Sequence, residues 1–135
     1  MGEMRQSFCD FLRELSMASD GSRQNLVDGF MSSVASTPLL EKDCFAHFLY
    51  RGEAGSVAIP CDANEWSPID FPMQRVPATN LWYFTRRFEP DARLDYKLLI
   101  NGSDWILDPC NPHRIEGGYG LNSELRMPKY SLPQN

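Results

Sequence analysis

The sequence predicts a mainly β protein, an antiparallel β-sandwich carrying a short N-terminal helical segment. Three observations predict it. Composition changes near residue 37, because residues 38–135 hold all ten prolines, all three tryptophans and all five tyrosines. Apolar residues before that point recur at helical spacing, and after it they fall into short, partly alternating runs. Those runs stand roughly ten residues apart with Pro and Gly between them, which is the pattern of a sandwich.

In the first part Phe8, Phe11, Leu12 and Leu15 recur at i, i+3, i+4 and i+7, and Ser7 with Asp10 forms an N-terminal capping pair. That is a helix of about three turns. Asp20-Gly21-Ser22 punctuates the chain. Leu26, Val27, Phe30, Met31 and Val34 then form a second stripe that stops before Pro38. Gly29 inside it costs about 1 kcal/mol relative to alanine. Two short amphipathic helices cannot bury their stripes alone, so they must pack on the domain that follows. Neither polar face has the Lys and Arg of a membrane-surface helix.

From Cys44 onward the apolar runs read as strands. Cys44 to Tyr50 and Ser56 to Pro60 flank the turn Gly52-Glu53-Ala54-Gly55. Leu81 to Phe88 is a third strand, with Trp82, Phe84 and Phe88 on one face. Leu94, Tyr96, Leu98 and Ile100 share one face of the next, and Asp95, Lys97, Leu99 and Asn101 the other. The core takes the first set. Asn101-Gly102 signals a hairpin, because both residues tolerate positive φ, and Trp105-Ile106-Leu107 returns. Two hairpins are open at this point. A two-residue turn puts Trp105 opposite Leu98 and into the core, whereas a three-residue turn with a bulge puts it opposite Leu99, beside Lys97. A last strand lies around Asn122 to Met127. Pro128 to Asn135 reads as an extended linker that leads into something longer.

Composition sets limits on function. A chain of 135 residues with 42% hydrophobic and 23% charged residues is sized for one ordinary globular module. No run of about 18 apolar residues exists to span a bilayer. The first residues lack the basic start and apolar stretch of a secretory signal, so the expected location is cytoplasmic. A formal charge of −5 is the wrong sign for neutralising phosphates, which excludes nucleic acid as the expected partner. Cys9, Cys44, Cys61 and Cys110 are irregularly spaced without a Cys-x-x-Cys pair, and read as reduced, mostly buried thiols with no metal or cofactor to hold.

Catalytic patterns fail at named positions. Ser56 follows Gly55, but Ala58 occupies the place of the second glycine of a nucleophile elbow. A cysteine beside His47 or His113 is more often structural than nucleophilic. Asp62, Asp104 and Asp108 lie in turns beside Asn, Ser or Pro, where an aspartate bonds local backbone. Gly117-Gly118-Tyr119-Gly120 lacks the Lys-Ser/Thr and helix of a phosphate cradle and reads as a flexible loop. The expectation is no catalytic residue in this chain.

Binding stands differently, because Trp66 lies in the polar turn Asp62 to Pro68, Trp105 follows a hairpin turn and Tyr119 sits among glycines. Rings on loops stack on the apolar faces of sugars. If a ring covers about 80 Å² of apolar surface, each stack contributes roughly 2 kcal/mol. Two stacks and a few hydrogen bonds, less the cost of association, leave a dissociation constant between millimolar and about tens of micromolar. By spacing alone, however, Trp66 and Trp105 read as core, since a tryptophan in a β protein is more often buried than a platform. Trp82 reads as core outright.

The segments Ser56 to Trp66, Asp95 to Gly102 and Trp105 to Pro109 resemble the early-set immunoglobulin-like module of glycogen-binding domains and isoamylase-type N-terminal domains. The stretches Asp108 to Pro112 and Gly117 to Pro128 are more similar to the version that precedes the catalytic domain in esterases related to enterochelin esterase. The resemblance implies an immunoglobulin-like sandwich over residues 38–127, a helical segment over 1–37 and a linker over 128–135. It also implies carbohydrate-binding residues: stacking rings at Trp66 and Trp105, a sugar-contacting lysine at Lys97, and a late-loop apolar contact and asparagine at Tyr119 and Asn122. Cys61 and Ala63 depart from the glycine and phenylalanine usual before the first tryptophan.

Three functions follow as expectations. The first is a noncatalytic accessory domain of an esterase that binds an α-glucan or another oligo- or polysaccharide. The second is an interaction module that packs on an α/β-hydrolase catalytic domain and shapes its entrance. The third, ranked lowest, is a scaffold resembling the kinase regulatory β subunit, and no kinase-docking segment follows the sandwich.

Overall fold

In the computed structural model, which describes residues 6–132, two helices lie on one sheet of an antiparallel sandwich. Helix α1 (Phe8–Met17) starts where the sequence predicts, with the Ser7 side chain accepting a hydrogen bond from the Asp10 N–H. Helix α2 (Asp20–Ser32) starts earlier than expected. Asp20-Gly21-Ser22 is its first turn and not a break, because Ser19 adopts the extended N-cap conformation and an aspartate suits the positive end of a helix.

The first sheet has the order β1-β2-β5-β4, from β1 (Leu39–Glu41), β2 (Phe45–Arg51), β4 (Gln74–Arg75) and β5 (Leu81–Arg87). The long β2–β5 pair runs from Phe45 opposite Arg87 to Arg51 opposite Leu81. Alternation divides its side chains. Leu39, Leu49, Leu81 and Tyr83 face the helices and pack with Phe8, Phe11, Leu15, Val27, Phe30 and Met31. Phe11 stacks on Phe30 at 4.1 Å between ring centres. Ala46, Phe48, Trp82 and Phe84 face inward to the sandwich core, so Trp82 is core as its strand pattern implies.

The second layer is built on one stretch of chain, β6 (Arg93–Tyr96) followed by β7 (Leu98–Ile100). Along one edge lies β3 (Val57–Ala58), continued by a bridge between Cys61 and Tyr96. Along the other, β10 (Gly120–Arg126) pairs β6 and β8 (Asp104–Ile106) pairs β7. An outer strand, β9 (Arg114–Gly117), pairs β10. Leu94, Tyr96, Leu98 and Ile100 all turn inward, joining Val57, Ile59, Leu125 and Met127 in the core between the layers. Phe48 meets Tyr96 edge-on at 5.1 Å.

Asp108 keeps its expected bond to local backbone and adds distant partners. It is 1% exposed and accepts hydrogen bonds from the Tyr96 hydroxyl at 2.7 Å, the Thr37 hydroxyl at 2.9 Å and the Cys110 N–H at 3.1 Å. Asn111 donates to the Tyr96 oxygen and to the Glu124 carbonyl. This network ties Thr37, at the end of the helical segment, to β6 and β10 of the second layer. Burial pushes the Asp108 carboxyl above its ordinary pKa against the pull of those donors. Burial and then the Asp108 charge hold the Tyr96 phenol well above its own.

The thiols are free, but only Cys61 is buried; Cys9, on the outer side of α1, and Cys110, in the turn after β8, are exposed. Among the described residues there is no cluster of His, Cys, Asp and Glu able to hold a metal, and no helix long and apolar enough to cross a membrane. Lys129 donates its N–H to the Pro90 carbonyl, so the expected linker begins tied to the sandwich. Its last residues, Pro133, Gln134 and Asn135, lie outside the described residues.

Candidate functional site

The hairpin after β7 decides where one tryptophan goes. Asn101 and Gly102 take positive φ, at 55° and 72°, and Ile100 pairs with Asp104, so the turn holds three residues. Trp105 is therefore opposite Leu99, on the outer face with Lys97, and is 49% exposed. The core placement suggested by spacing alone is corrected by this extra turn residue. Trp66 is corrected likewise. It leaves a short 3-10 turn (Asp62–Asn64) and stays half-buried at the surface.

Gly117-Gly118-Tyr119-Gly120 is a hairpin turn and not a flexible loop, with Gly117 paired to Gly120 and the two intervening residues at its tip. Gly120 sits at φ 102°, a conformation that a side chain disfavours. Tyr119 projects from the tip fully exposed. Two residues along β10, Asn122 points to the outer face and donates to Asp95 at 3.1 Å. Gly117 leaves room for that amide: a Cβ there would stand 2.4 Å from the Asn122 amide nitrogen, which would have to move.

Trp66, Lys97, Trp105, Tyr119 and Asn122 line one open groove of about 530 Å³, together with Asp62, Asp95, Gly117 and Gly118. The groove lies on the outer face of the second layer. The helices cover the opposite face of the molecule, on the first sheet.

The groove has one part that sequence reasoning missed. Asp62 accepts the Trp66 indole N–H at 3.0 Å with one oxygen and the Asp95 backbone N–H at 2.8 Å with the other. Asp95 in turn accepts from Asn122 and from Arg93. Arg93 and Arg126 both bond Glu124, which is buried on the same strand pair. Burial pushes the Glu124 carboxyl up, but the hydrogen bonds from Arg93 and Arg126 outweigh it and hold the group below its usual range. No signal in sequence distinguished Asp62 from any aspartate in a polar turn, because Asp95 lies 33 residues away.

Chemically, the groove offers flat apolar faces, the Lys97 ammonium, the Asn122 amide and the carboxylates of Asp62 and Asp95, which already accept hydrogen bonds from Trp66 and Asn122. That set suits a ring bearing hydroxyls. Neither histidine lines the groove: both nitrogens of His47 are engaged, by Thr85 and Glu41, beneath α1, and His113 follows Asn111 in the loop before β9.

No protein-family model matches the chain, and no curated protein matches it. Solved structures do. An enterobactin esterase from Shigella flexneri, crystallised with 2,3-dihydroxy-N-benzoyl-glycine, matches 78% of this chain at 22% identity with a TM-score of 0.59. The same enzyme with enterobactin matches at 19% identity and 0.61. A ferric enterobactin esterase from Salmonella typhimurium matches at 17% identity and 0.60. The matches cover 35%, 36% and 37% of those chains respectively. The likeness is one of fold, and the chain spans little more than a third of the length of the esterases it resembles.

Proposed function

We propose that this chain is a noncatalytic accessory domain of an esterase, with residues 38–127 forming an early-set immunoglobulin-like sandwich behind the helical segment 1–37. Its outer groove binds an α-glucan or a similar polysaccharide. Trp66 and Trp105 stack on sugar faces, Tyr119 closes over them from its hairpin, and Lys97 and Asn122 donate to hydroxyls. The observation that carries this reading is the convergence of all five residues, drawn from four separate segments, on one groove. Weak affinity suits tethering, and the estimate of millimolar to about tens of micromolar follows from two stacks.

Titrating maltoheptaose while recording tryptophan fluorescence tests it. A saturable change that disappears in Trp105→Ala supports the reading, and a flat response at millimolar sugar removes the α-glucan claim. The compound 2,3-dihydroxy-N-benzoyl-serine, present in another enterobactin esterase structure, serves as a flat-ring control that a saccharide site should not prefer.

A second reading, favoured by the fold likeness to esterases, is that the sandwich packs on an α/β-hydrolase unit and shapes its entrance. Coding sequence beyond Asn135 decides it. A downstream Gly-x-Ser-x-Gly within a hydrolase supports this role, and a stop codon contradicts it.

A further inference from the structure

The turn that presents Trp66 is strained. Glu65 and Trp66 are consecutive non-glycine residues in the left-handed region, at φ 57° and 60°, where an L side chain crowds its own backbone. Such a turn persists only where its surroundings over-determine it. Buried Asn64 accounts for the backbone: its oxygen accepts from the Cys61 and Ser67 N–H groups, at 3.0 and 3.1 Å, and its amide donates to the Ile59 carbonyl. None of these bonds touches the indole.

Asp62 does. One of its oxygens is committed to the ring and the other to the backbone of β6, two residues before Lys97. The side chain therefore ties the ring's position to β6, which leads directly into Lys97. Each donor has its own carboxylate oxygen.

We propose that Asp62 is the positioning residue of the groove, bridging the Trp66 indole to β6 so that the ring is held in place before any ligand arrives. Ordering the ring in advance lowers the entropy that binding would otherwise cost. The effect belongs to the free protein and is read without ligand.

The experiment is indole nitrogen-15 NMR on the full chain, comparing wild type with Asp62→Ala and Asp62→Asn, and using Trp66→Phe to assign the resonance. In Asp62→Ala the Trp66 indole resonance should move and its proton should exchange with water about five- to tenfold faster, the loss of one modest hydrogen bond. Asp62→Asn keeps an acceptor oxygen and should restore most of the protection. The Trp82 and Trp105 indoles should not move. An unchanged Trp66 signal in Asp62→Ala overturns the proposal. A second arm titrates maltoheptaose and rests on the reading of the groove as a saccharide site. There Asp62→Ala should weaken binding about three- to tenfold, and Asp62→Asn less. Equal affinity in wild type and Asp62→Ala also overturns the proposal. If wild type binds no maltoheptaose, the saccharide reading fails and the indole spectra alone decide the role of Asp62.

Discussion

Trp105 stands opposite Leu99 across the β7–β8 pair, and this register alone puts its indole on the outer face of the sheet. One residue fewer in the turn would move every β8 side chain to the other face. Exposure and stability should therefore separate at the tryptophans. Trp105→Ala should abolish saccharide binding while changing stability by less than about 1 kcal/mol, since its ring is half in water. Trp82→Ala, 6% exposed in the core, should cost about 3–5 kcal/mol. Thermal denaturation beside ligand titration checks both.

Gly117→Ala should injure the groove more than the fold. The added methyl meets the Asn122 amide nitrogen at 2.4 Å, and that amide yields by turning away from Asp95. A loss of about one hydrogen bond from the ligand site predicts three- to tenfold weaker binding. Amide spectra should change along β9 and β10 and remain unchanged in the helices.

Much of this arrangement was legible in the sequence, and the limits are physical. The stripes of α1 and α2, the Ser7 cap and the alternation from Leu94 to Ile100 are local patterns, and the structure follows them. Strands β1, β4 and β9 were missed because none carries an alternating apolar run: β1 is two adjacent leucines and a glutamate, β4 is Gln74-Arg75, and β9 holds a single apolar residue, Ile115. They exist because long neighbours offer them backbone partners. The five groove residues could be named, but whether they met depended on one turn residue, Ser103, and on a hairpin at Gly118-Tyr119. The aspartates that brace the groove act across 27 and 33 residues, beyond any spacing rule.

Acid should unfold the protein partly through Glu124. Its folded carboxyl lies below the ordinary value of 4.5, so its contribution is present above that pH and is lost as pH falls through the depressed value. Glu124→Gln should cost about 1–2 kcal/mol at neutral pH, because Arg93 and Arg126 are partly solvated. The gap between variant and wild type should close below pH 4.5 in urea titrations run across acid pH.

Tyr96→Phe should show the same trend with pH through a carboxyl that is shifted the other way. Asp108 loses one of its donors, and its carboxyl, already raised by burial, rises further. A raised carboxyl favours the fold below its ordinary pKa and loses that advantage as pH climbs through the folded value. The variant should be destabilised by about 1–3 kcal/mol at neutral pH and by less in acid. Denaturant midpoints on both sides of that range give the comparison.

The most direct test of the saccharide groove is a calorimetric titration of maltoheptaose into the wild-type chain, with Trp66→Ala and Trp105→Ala run alongside. The predicted result is a saturable heat with a dissociation constant between millimolar and about tens of micromolar, absent in both variants while their melting temperatures hold. No heat from the wild type at millimolar sugar, or equal binding by either variant, would contradict it.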